Sequence, residues 1–426
     1  MPKVVIIGAG SWFGSRVSFD ILSRPPLAGS TLVLCDIDAA KVKAVVAYVR
    51  RAADAWKVPA KIHGATDHRK AMRGADFVIT SVAVGGPAYS GHLFANEMNI
   101  PRKYGVDQSV GDTIGPGGVF RFLRTAPVQL GFARDMERLC PDALLINYTN
   151  PMCMLTWLHS ATGVRNVGLC HSVQFTIQEL SGYVGLPKDE IDYWVAGINH
   201  QAWVLRFRHR GRDAYPLIRK AMETPNIYAK DRVRFEMMKH FGWFVTESSH
   251  HNSEYMPYFR RTQKLRDEFR LETRTISTTP RPPNREWAKP DAPIPELERS
   301  NEYASGIIEA MTTGSPFRIN GNVMNSGLVT NLPEGCCVEV PCMVDQAGVH
   351  PCYVGALPPQ CAALNRTNVA VQELAVLAAI DHDRDAAFHA VALDPLTAAC
   401  AGLRQIRAMF DEMWEAEKDF LTYFDK

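Results

Sequence analysis

The stretch Lys3-Val4-Val5-Ile6-Ile7-Gly8-Ala9-Gly10-Ser11-Trp12-Phe13-Gly14 decides the fold of this chain. Val4 to Ile7 is an unbroken apolar run, as a parallel strand requires when both of its faces are covered. Glycines follow at once, and a helical pattern continues from Ser15 towards Leu22. Gly8 permits the tight turn, and Gly10 lets the backbone approach a pyrophosphate at the positive end of the helix that begins beside Ser11. Gly14 falls one place later than the third glycine of the commonest spacing, which alters how helix and strand meet. A second strand, Thr31-Leu32-Val33-Leu34-Cys35, ends at Asp36, where an acidic side chain binds the adenosine ribose hydroxyls. An acid there repels a 2′-phosphate and favours NAD over NADP. A glycine pattern alone is weak, but strand, glycines, helix, second strand and terminal acid in order specify a dinucleotide site. Gly8, Gly10, Ser11, Gly14 and Asp36 are its expected residues.

The alternation continues with a helix over 39–56, a strand over 75–80, a long helix over 119–139 and a strand over 143–148. A short apolar run over 164–169 delivers Cys170 to a strand's carboxyl end. Ligands of open α/β sheets gather outside those ends, so Asp36, Asn150 and Cys170 are expected along one edge. The expected fold class is therefore α/β, with an N-terminal Rossmann-like, doubly wound parallel sheet over 1–195. Regular alternation fades after about 195. The stretch 261–299 is charged and rich in proline, and it reads as an exposed excursion or subunit contact without chemistry of its own. Strands resume over 322–345, and the chain from 365 onward is mostly helical.

Composition narrows the function. The chain has 426 residues, 46% hydrophobic and 22% charged, with a formal net charge of +2. That balance and the lack of any long basic block exclude nucleic acid and membrane surfaces as expected partners. The run Val4 to Ile7 is too short for a signal peptide or a span, so a cytoplasmic location is expected. The ten cysteines then read mainly as reduced, small core residues. Cys336-Cys337 followed by Cys342 lacks zinc spacing and lies on a strand pattern.

Two further pairs carry chemistry. Cys170-His171 and Asn199-His200 offer one thiol and one imidazole, a donor set that suits a borderline divalent ion such as Mn²⁺, Fe²⁺, Co²⁺, Ni²⁺ or Zn²⁺. The competing reading is a buried apolar thiol and a satisfied core histidine. Two protein ligands leave positions open for substrate oxygens, and beside a nicotinamide they suggest oxidation of a metal-chelated hydroxyl.

With these segments placed, the chain resembles glycoside hydrolase family four, whose members depend on NAD and a divalent metal, Mn²⁺ above all. The resemblance is nearest to the bacterial melibiase-type α-galactosidases. It rests on Gly8-Ala9-Gly10-Ser11, Asp112-Thr113-Ile114-Gly115-Pro116-Gly117-Gly118, Asn147-Tyr148 with Asn150-Pro151, and Gly168 to Gln174. It continues through Ala196-Gly197-Ile198-Asn199-His200, Phe244 to Ser249, Glu302-Tyr303-Ala304-Ser305, Asn331-Leu332-Pro333 and Cys336 to Val340. Cys-His-Ser-Val at 170–173 is similar to the α-galactosidase form, whereas phosphoglycosidases carry Asp or Asn at the place of His171.

The resemblance implies a second domain over 196–426, of α+β type and similar to the C-terminal domain of lactate and malate dehydrogenases, which completes the metal and sugar site and serves oligomerisation. It implies a homodimer or homotetramer acting on a small-molecule glycoside. The implied reaction lies outside two-carboxylate glycoside hydrolysis. NAD⁺ takes hydride from C3, the ketone acidifies the C2 proton, a base removes it, the C1 group is eliminated, water adds, and hydride returns. By the same resemblance Cys170 and His200 are metal ligands, Asn150 binds sugar hydroxyls, and Asp112 lies at the sugar or near the metal. His171 is implied as the acid assisting the leaving group, or as a sugar contact. The base is Tyr255 or Glu247, with Tyr255 ranked ahead because a phenolate near a cation is basic enough for a ketone's α-proton.

Some residues depart from the family pattern. His250-His251 and Arg260-Arg261 make the stretch after Ser249 unusually basic, and Asn301 stands where an arginine is expected. Arg260 facing the sugar would suit an anionic C6 group, as in a galacturonide, glucuronide or sulfoquinovoside. The other reading turns these residues to solvent or to a subunit. A neutral α-galactoside is expected first, then another hexoside such as an α-glucoside. A hydroxy-acid dehydrogenase, or an NAD-sensing protein without need of the Cys170–His200 pair, completes the alternatives.

Overall fold

The computed structural model describes residues 1–87, 89–281 and 286–425. Its strands form one continuous sheet. Six of them are parallel: β1 (Lys3–Ile7), β2 (Thr31–Cys35), β3 (Lys61–Ala65), β4 (Phe77–Thr80), β5 (Leu144–Asn147) and β6 (Asn166–Gly168). Their order is β3-β2-β1-β4-β5-β6, which reverses direction between β1 and β4 and opens a crevice there. β1 stays in place because its apolar residues are covered on both faces; Val4, Val5 and Ile6 are 0% exposed. Each contributes roughly 1.5–3 kcal/mol by that burial.

The helix Trp12–Leu22 follows β1 and is capped by Ser11, whose hydroxyl accepts the Gly14 N–H. Asp38 caps the helix Ala39–Ala55 in the same way. The long helix expected over 119–139 starts earlier, at Gly115, because Pro116 fits its first turn and Gly115 takes the left-handed φ of +72° that sets the entry. β3 was not anticipated. Its Lys-Ile-His-Gly-Ala sequence is that of a half-exposed edge strand with only Ile62 deeply buried.

Beyond β6 the parallel alternation stops, as expected, but regular structure does not. The sheet continues through β7 (Ile191–Ile198), β8 (Gln201–His209), β9 (Arg212–Asp213), β10 (Phe317–Met324), β11 (Cys337–Asp345) and β12 (Gly348–Pro351), all antiparallel. A single pairing of Asn322 with Gly168 joins β10 to β6, and Glu339 with Gly197 joins β11 to β7. A division at 195/196 falls inside β7, whose eight residues pair as one ribbon with β8. Helices Pro359–Asp381, Arg384–Leu393 and Leu403–Glu417 pack beyond it. Among the described residues, no helix is long and apolar enough to cross a membrane.

The excursion over 261–299 is largely exposed among its described residues, as expected, but part of it is held against the site. It does not stand free of the site. Trp56 donates its indole N–H to the Pro295 carbonyl, Arg51 bonds the Lys289, Pro290 and Ala292 carbonyls, and Trp287 packs its ring 5.6 Å from that of Tyr48. This segment therefore lies across the helix Ala39–Ala55, and Pro280, Arg281 and Trp287 reach the crevice wall. Residues 282–285, with two of its prolines, lie outside the described residues.

Candidate active site

A cleft of about 1540 Å³ runs from the glycine turn after β1 to Cys170, His200 and Glu247. At one end the turn is bare because side chains do not fit. A Cβ on Gly8 (φ +84°) would stand 2.0 Å from the Ser81 carbonyl oxygen, and one on Gly10 would stand 2.6 Å from Asp36 Oδ2. On Gly14 it would meet the Ala9 carbonyl at 2.4 Å, which is how the later third glycine lets the helix close on the turn. Asp36 Oδ2 accepts the Gly10 N–H at 3.0 Å and Oδ1 accepts that of Asp38 at 3.1 Å. A bare turn, a helix N-terminus and an anchored carboxylate fit a dinucleotide.

At the other end three donors converge from separate elements. Cys170 leaves the carboxyl end of β6, and its Sγ accepts the Ser172 N–H at 3.4 Å. His200 sits in the two-residue turn between β7 and β8, with φ +62°. Its Nε2 is 3.2 Å from Cys170 Sγ. Glu247 is brought to the same point by main-chain bonding to β8: Thr246 donates to the Ala202 carbonyl at 2.8 Å and its hydroxyl accepts the Ala202 N–H at 3.0 Å. Glu247 Oε2 is then 3.7 Å from His200 Nε2, and the three donor atoms lie within 4.8 Å of one another. Glu247 also adopts a left-handed φ of +72°. Such conformations in residues with a side chain cost about 1–3 kcal/mol and persist where the surroundings enforce them. Thiol, imidazole and carboxylate fit a borderline divalent ion.

Between these ends stand the expected sugar residues. Asn150 donates its amide to Asp112 Oδ2 at 2.9 Å, and the Tyr89 hydroxyl donates to the same oxygen at 2.8 Å. His251 was expected only as part of a basic stretch. It lies beside Asp112, with Nε2 3.6 Å from Oδ1, and beside Glu247, with Nδ1 3.7 Å from Oε1. His171 is half exposed, and its Nδ1 faces Glu302 at 3.4 Å. The Glu302 carboxylate holds that imidazole above its ordinary pKa. Burial pushes Asp112 up, but His251 and Arg121 outweigh it and bring the carboxyl to about 2. Burial likewise opposes ionisation of Glu247, and His200 with His251 overcomes it, so this carboxyl lies below its usual range. The Cys170 thiol is raised by burial, against the pull of His171.

Of the remaining expected residues, Arg260 sits elsewhere and Tyr255 stands directly behind the donors. Arg260 does not reach the cleft; it is 0% exposed, with Nη2 2.5 Å from Asp107 Oδ2 and Nε donating to the Asp107 carbonyl at 2.8 Å. A buried guanidinium needs such a carboxylate, and the pairing turns it from the sugar. Tyr255 is fully buried behind the donors, its ring centre 6.4 Å from that of His200, and its hydroxyl has no hydrogen-bond partner among the described residues. Burial first, and then Glu254 and Asp112, raise its pKa well above the ordinary phenol value. Tyr89 carried no local signal, and Glu302 stood out only within the family-like segment Glu302–Ser305; their partners Asp112 and His171 meet them only in three dimensions.

Comparison with known proteins identifies the family and the fold. The sequence profile of "Family 4 glycosyl hydrolase" matches residues 3–186, and that of its C-terminal domain matches 195–397. The chain is similar to an α-galactosidase of Bacillus subtilis, 40% identical over 100% of both chains. It is 36% identical to an α-galactosidase of Rhizobium meliloti, over 99% of this chain and 89% of that one. An α-galacturonidase of Thermoanaerobacterium saccharolyticum is 29% identical over 83% of this chain and 81% of that one. Among solved structures, a 6-phospho-β-glucosidase of Thermotoga maritima with manganese, NAD⁺ and glucose-6-phosphate superposes with a TM-score of 0.80, at 20% identity over 98% and 99% of the two chains. Malate dehydrogenase of Plasmodium falciparum superposes at 0.54, with 12% identity over 89% and 99%. The fold is thus a Rossmann-like half followed by a half of the dehydrogenase C-terminal type.

Proposed function

We propose that this chain, which belongs to glycosyl hydrolase family 4, is an NAD- and divalent-metal-dependent glycosidase that hydrolyses neutral α-galactosides. The observation that carries this reading is the single cleft joining the bare glycine turn and Asp36 to Cys170, His200 and Glu247. Gly8, Gly10, Ser11, Gly14 and Asp36 hold NAD, and Cys170, His200 and Glu247 hold the metal, most simply Mn²⁺. When bound, the two supply reversible oxidation at a carbon bearing a hydroxyl and polarisation of the adjoining oxygens.

The chain's own residues do the rest. Asn150 and Asp112 bind and orient hydroxyls; their mutual hydrogen bond fixes which face each presents. His171, oriented by Glu302, holds a proton for the leaving oxygen. Tyr255 is the base for the C2 proton, supported by its buried, unpartnered hydroxyl and by its ring, 6.4 Å from that of His200 and 5.7 Å from that of His251. Glu247 then serves as a third donor and not as the base.

A neutral sugar is favoured because the cations near the donors are already paired. Arg121 meets Glu97 and Asp112, and His251 meets Asp112, Glu247 and Glu254. Arg281, on the cleft wall, is the observation that favours a second reading, an anionic hexoside such as a galacturonide. A reducing, cytoplasmic setting suits a thiol ligand. The test is a panel of nitrophenyl glycosides with NAD⁺ and Mn²⁺ under reducing conditions. Hydrolysis of the α-galactoside is expected to exceed that of the galacturonide. A dominant galacturonide activity would transfer the assignment to the anionic class.

A further inference from the structure

Glu254 lies next to Tyr255 and is 2% exposed, yet it has no place in the chemistry described above. Its carboxylate accepts three consecutive main-chain N–H groups, those of Ser109 at 2.6 Å, Val110 at 3.2 Å and Gly111 at 3.2 Å. The next residue in the chain is Asp112. On its other side Glu254 Oε1 is 3.1 Å from His251 Nε2. That imidazole is packed edge-on to His200, with ring centres 4.7 Å apart, and it stands between Asp112 and Glu247.

We propose that Glu254 is a positioning residue that locks the loop bearing Asp112 to His251, so that Asp112 and Glu247 keep their separation across the cleft. The loop before Asp112 cannot hold itself. Gly111 has φ +58°, and the three N–H groups point to one spot, a concavity that a carboxylate fills. Charge-assisted bonds to main-chain donors are the stronger kind, and here they tie three residues of the N-terminal half to Glu254, which follows the short helix Ser249–Asn252 of the C-terminal half. Displacing a reacting or binding group by about 1 Å costs on the order of 100-fold in rate. The importance of Asp112 and Glu247 rests on the function proposed above, whereas the tether itself does not.

The test uses the full chain loaded with NAD⁺ and Mn²⁺. In Glu254→Gln, amide exchange over 109–111 should rise at least tenfold, while the glycine turn over 8–14 is unchanged. On the α-galactoside, kcat should fall about 100-fold with NAD⁺ affinity held within twofold. In a background of Asp112→Asn the same substitution should cost less than about threefold, because it acts through Asp112. A purely structural role predicts multiplicative losses in the double variant. Unchanged exchange over 109–111, or multiplicative losses, would overturn the proposal. Glu254→Asp, which keeps the charge but retracts it by one methylene, gives the same exchange readout should the Gln variant not accumulate. A wild type inactive on every glycoside would sink the functional reading and leave the exchange result to decide the tether.

Discussion

Cys170 Sγ stands 3.2 Å from His200 Nε2, although a whole helix and strand β7 separate the two in the chain. Neither residue comes from a flexible loop tip. One ends a parallel strand and the other fills a hairpin turn held in a left-handed conformation, so the pair is fixed before any ion arrives. Loss of supporting groups around a metal typically costs 10–100-fold in affinity, and loss of a ligand costs at least that. Cys170→Ser should therefore weaken Mn²⁺ binding by about 100-fold or more while NAD⁺ titration is unaffected. Calorimetry with Mn²⁺ alone reads this directly; an unchanged affinity would remove Cys170 from the centre.

Glu247 and Tyr255 separate in the same experiment. Glu247→Gln should weaken Mn²⁺ by tenfold or more, because it removes the third donor. Tyr255→Phe should leave Mn²⁺ and NAD⁺ binding within twofold and lower kcat by at least about 100-fold as the loss of a general base. Reversed results would exchange the two roles.

Asp36→Ala should raise the NAD⁺ dissociation constant by roughly 10–100-fold, the worth of a hydrogen bond to a charged group. Mn²⁺ affinity should not change, since Asp36 lies at the far end of the cleft. Equal binding of NAD⁺ by this variant would mean that the ribose is held elsewhere.

Arg260→Ala should act on stability. It removes one guanidinium from buried Asp107, which keeps Arg102 at 3.0 Å, so the loss should be that of a hydrogen bond to a charged group, about 1.5–3 kcal/mol. Urea denaturation should show that loss, and the ratio of galactoside to galacturonide hydrolysis in the folded variant should stay as in the wild type. A shift in that ratio would return Arg260 to the sugar site.

The contrast between Arg260 and His251 shows where the sequence is legible. The glycine turn, its strand and Asp36 are contiguous or nearly so, and their chemistry is dictated by main-chain sterics, so they can be read without coordinates. Cys170 is legible because it follows a strand-like run, and His200 because a thiol and an imidazole are unusual together beyond a dinucleotide motif. A basic residue, by contrast, carries no indication of the carboxylate it will meet. Arg260 meets Asp107 and His251 meets Asp112, each more than a hundred residues away in sequence, and only the first pairing is turned from the cleft. β3 escaped notice for a different reason: an edge strand with exposed Lys61 and His63 lacks the apolar run that marks its neighbours.

Asp394 gives a pH prediction remote from the metal. It caps the helix Pro395–Cys400 by accepting the Thr397 N–H at 2.8 Å, but burial raises its pKa from 3.8 to about 6. The folded state therefore binds a proton more tightly than the unfolded one between those values, and stability is lost as pH rises through that window. Comparing pH 4 with pH 7, Asp394→Asn should gain on the wild type by up to about 3 kcal/mol, as measured by urea denaturation at each pH. An identical pH dependence in both proteins would place the buried proton elsewhere.

The central claim is that a nicotinamide and a metal share one cleft in order to break and remake bonds at C3 and C2 of a sugar. Hydrolysis of an α-galactoside in deuterium oxide, with NAD⁺ and Mn²⁺, tests it most directly. The account predicts deuterium at C2 of the released sugar and no turnover without NAD⁺. Turnover in the absence of NAD⁺, with C2 still carrying its original hydrogen, would contradict it.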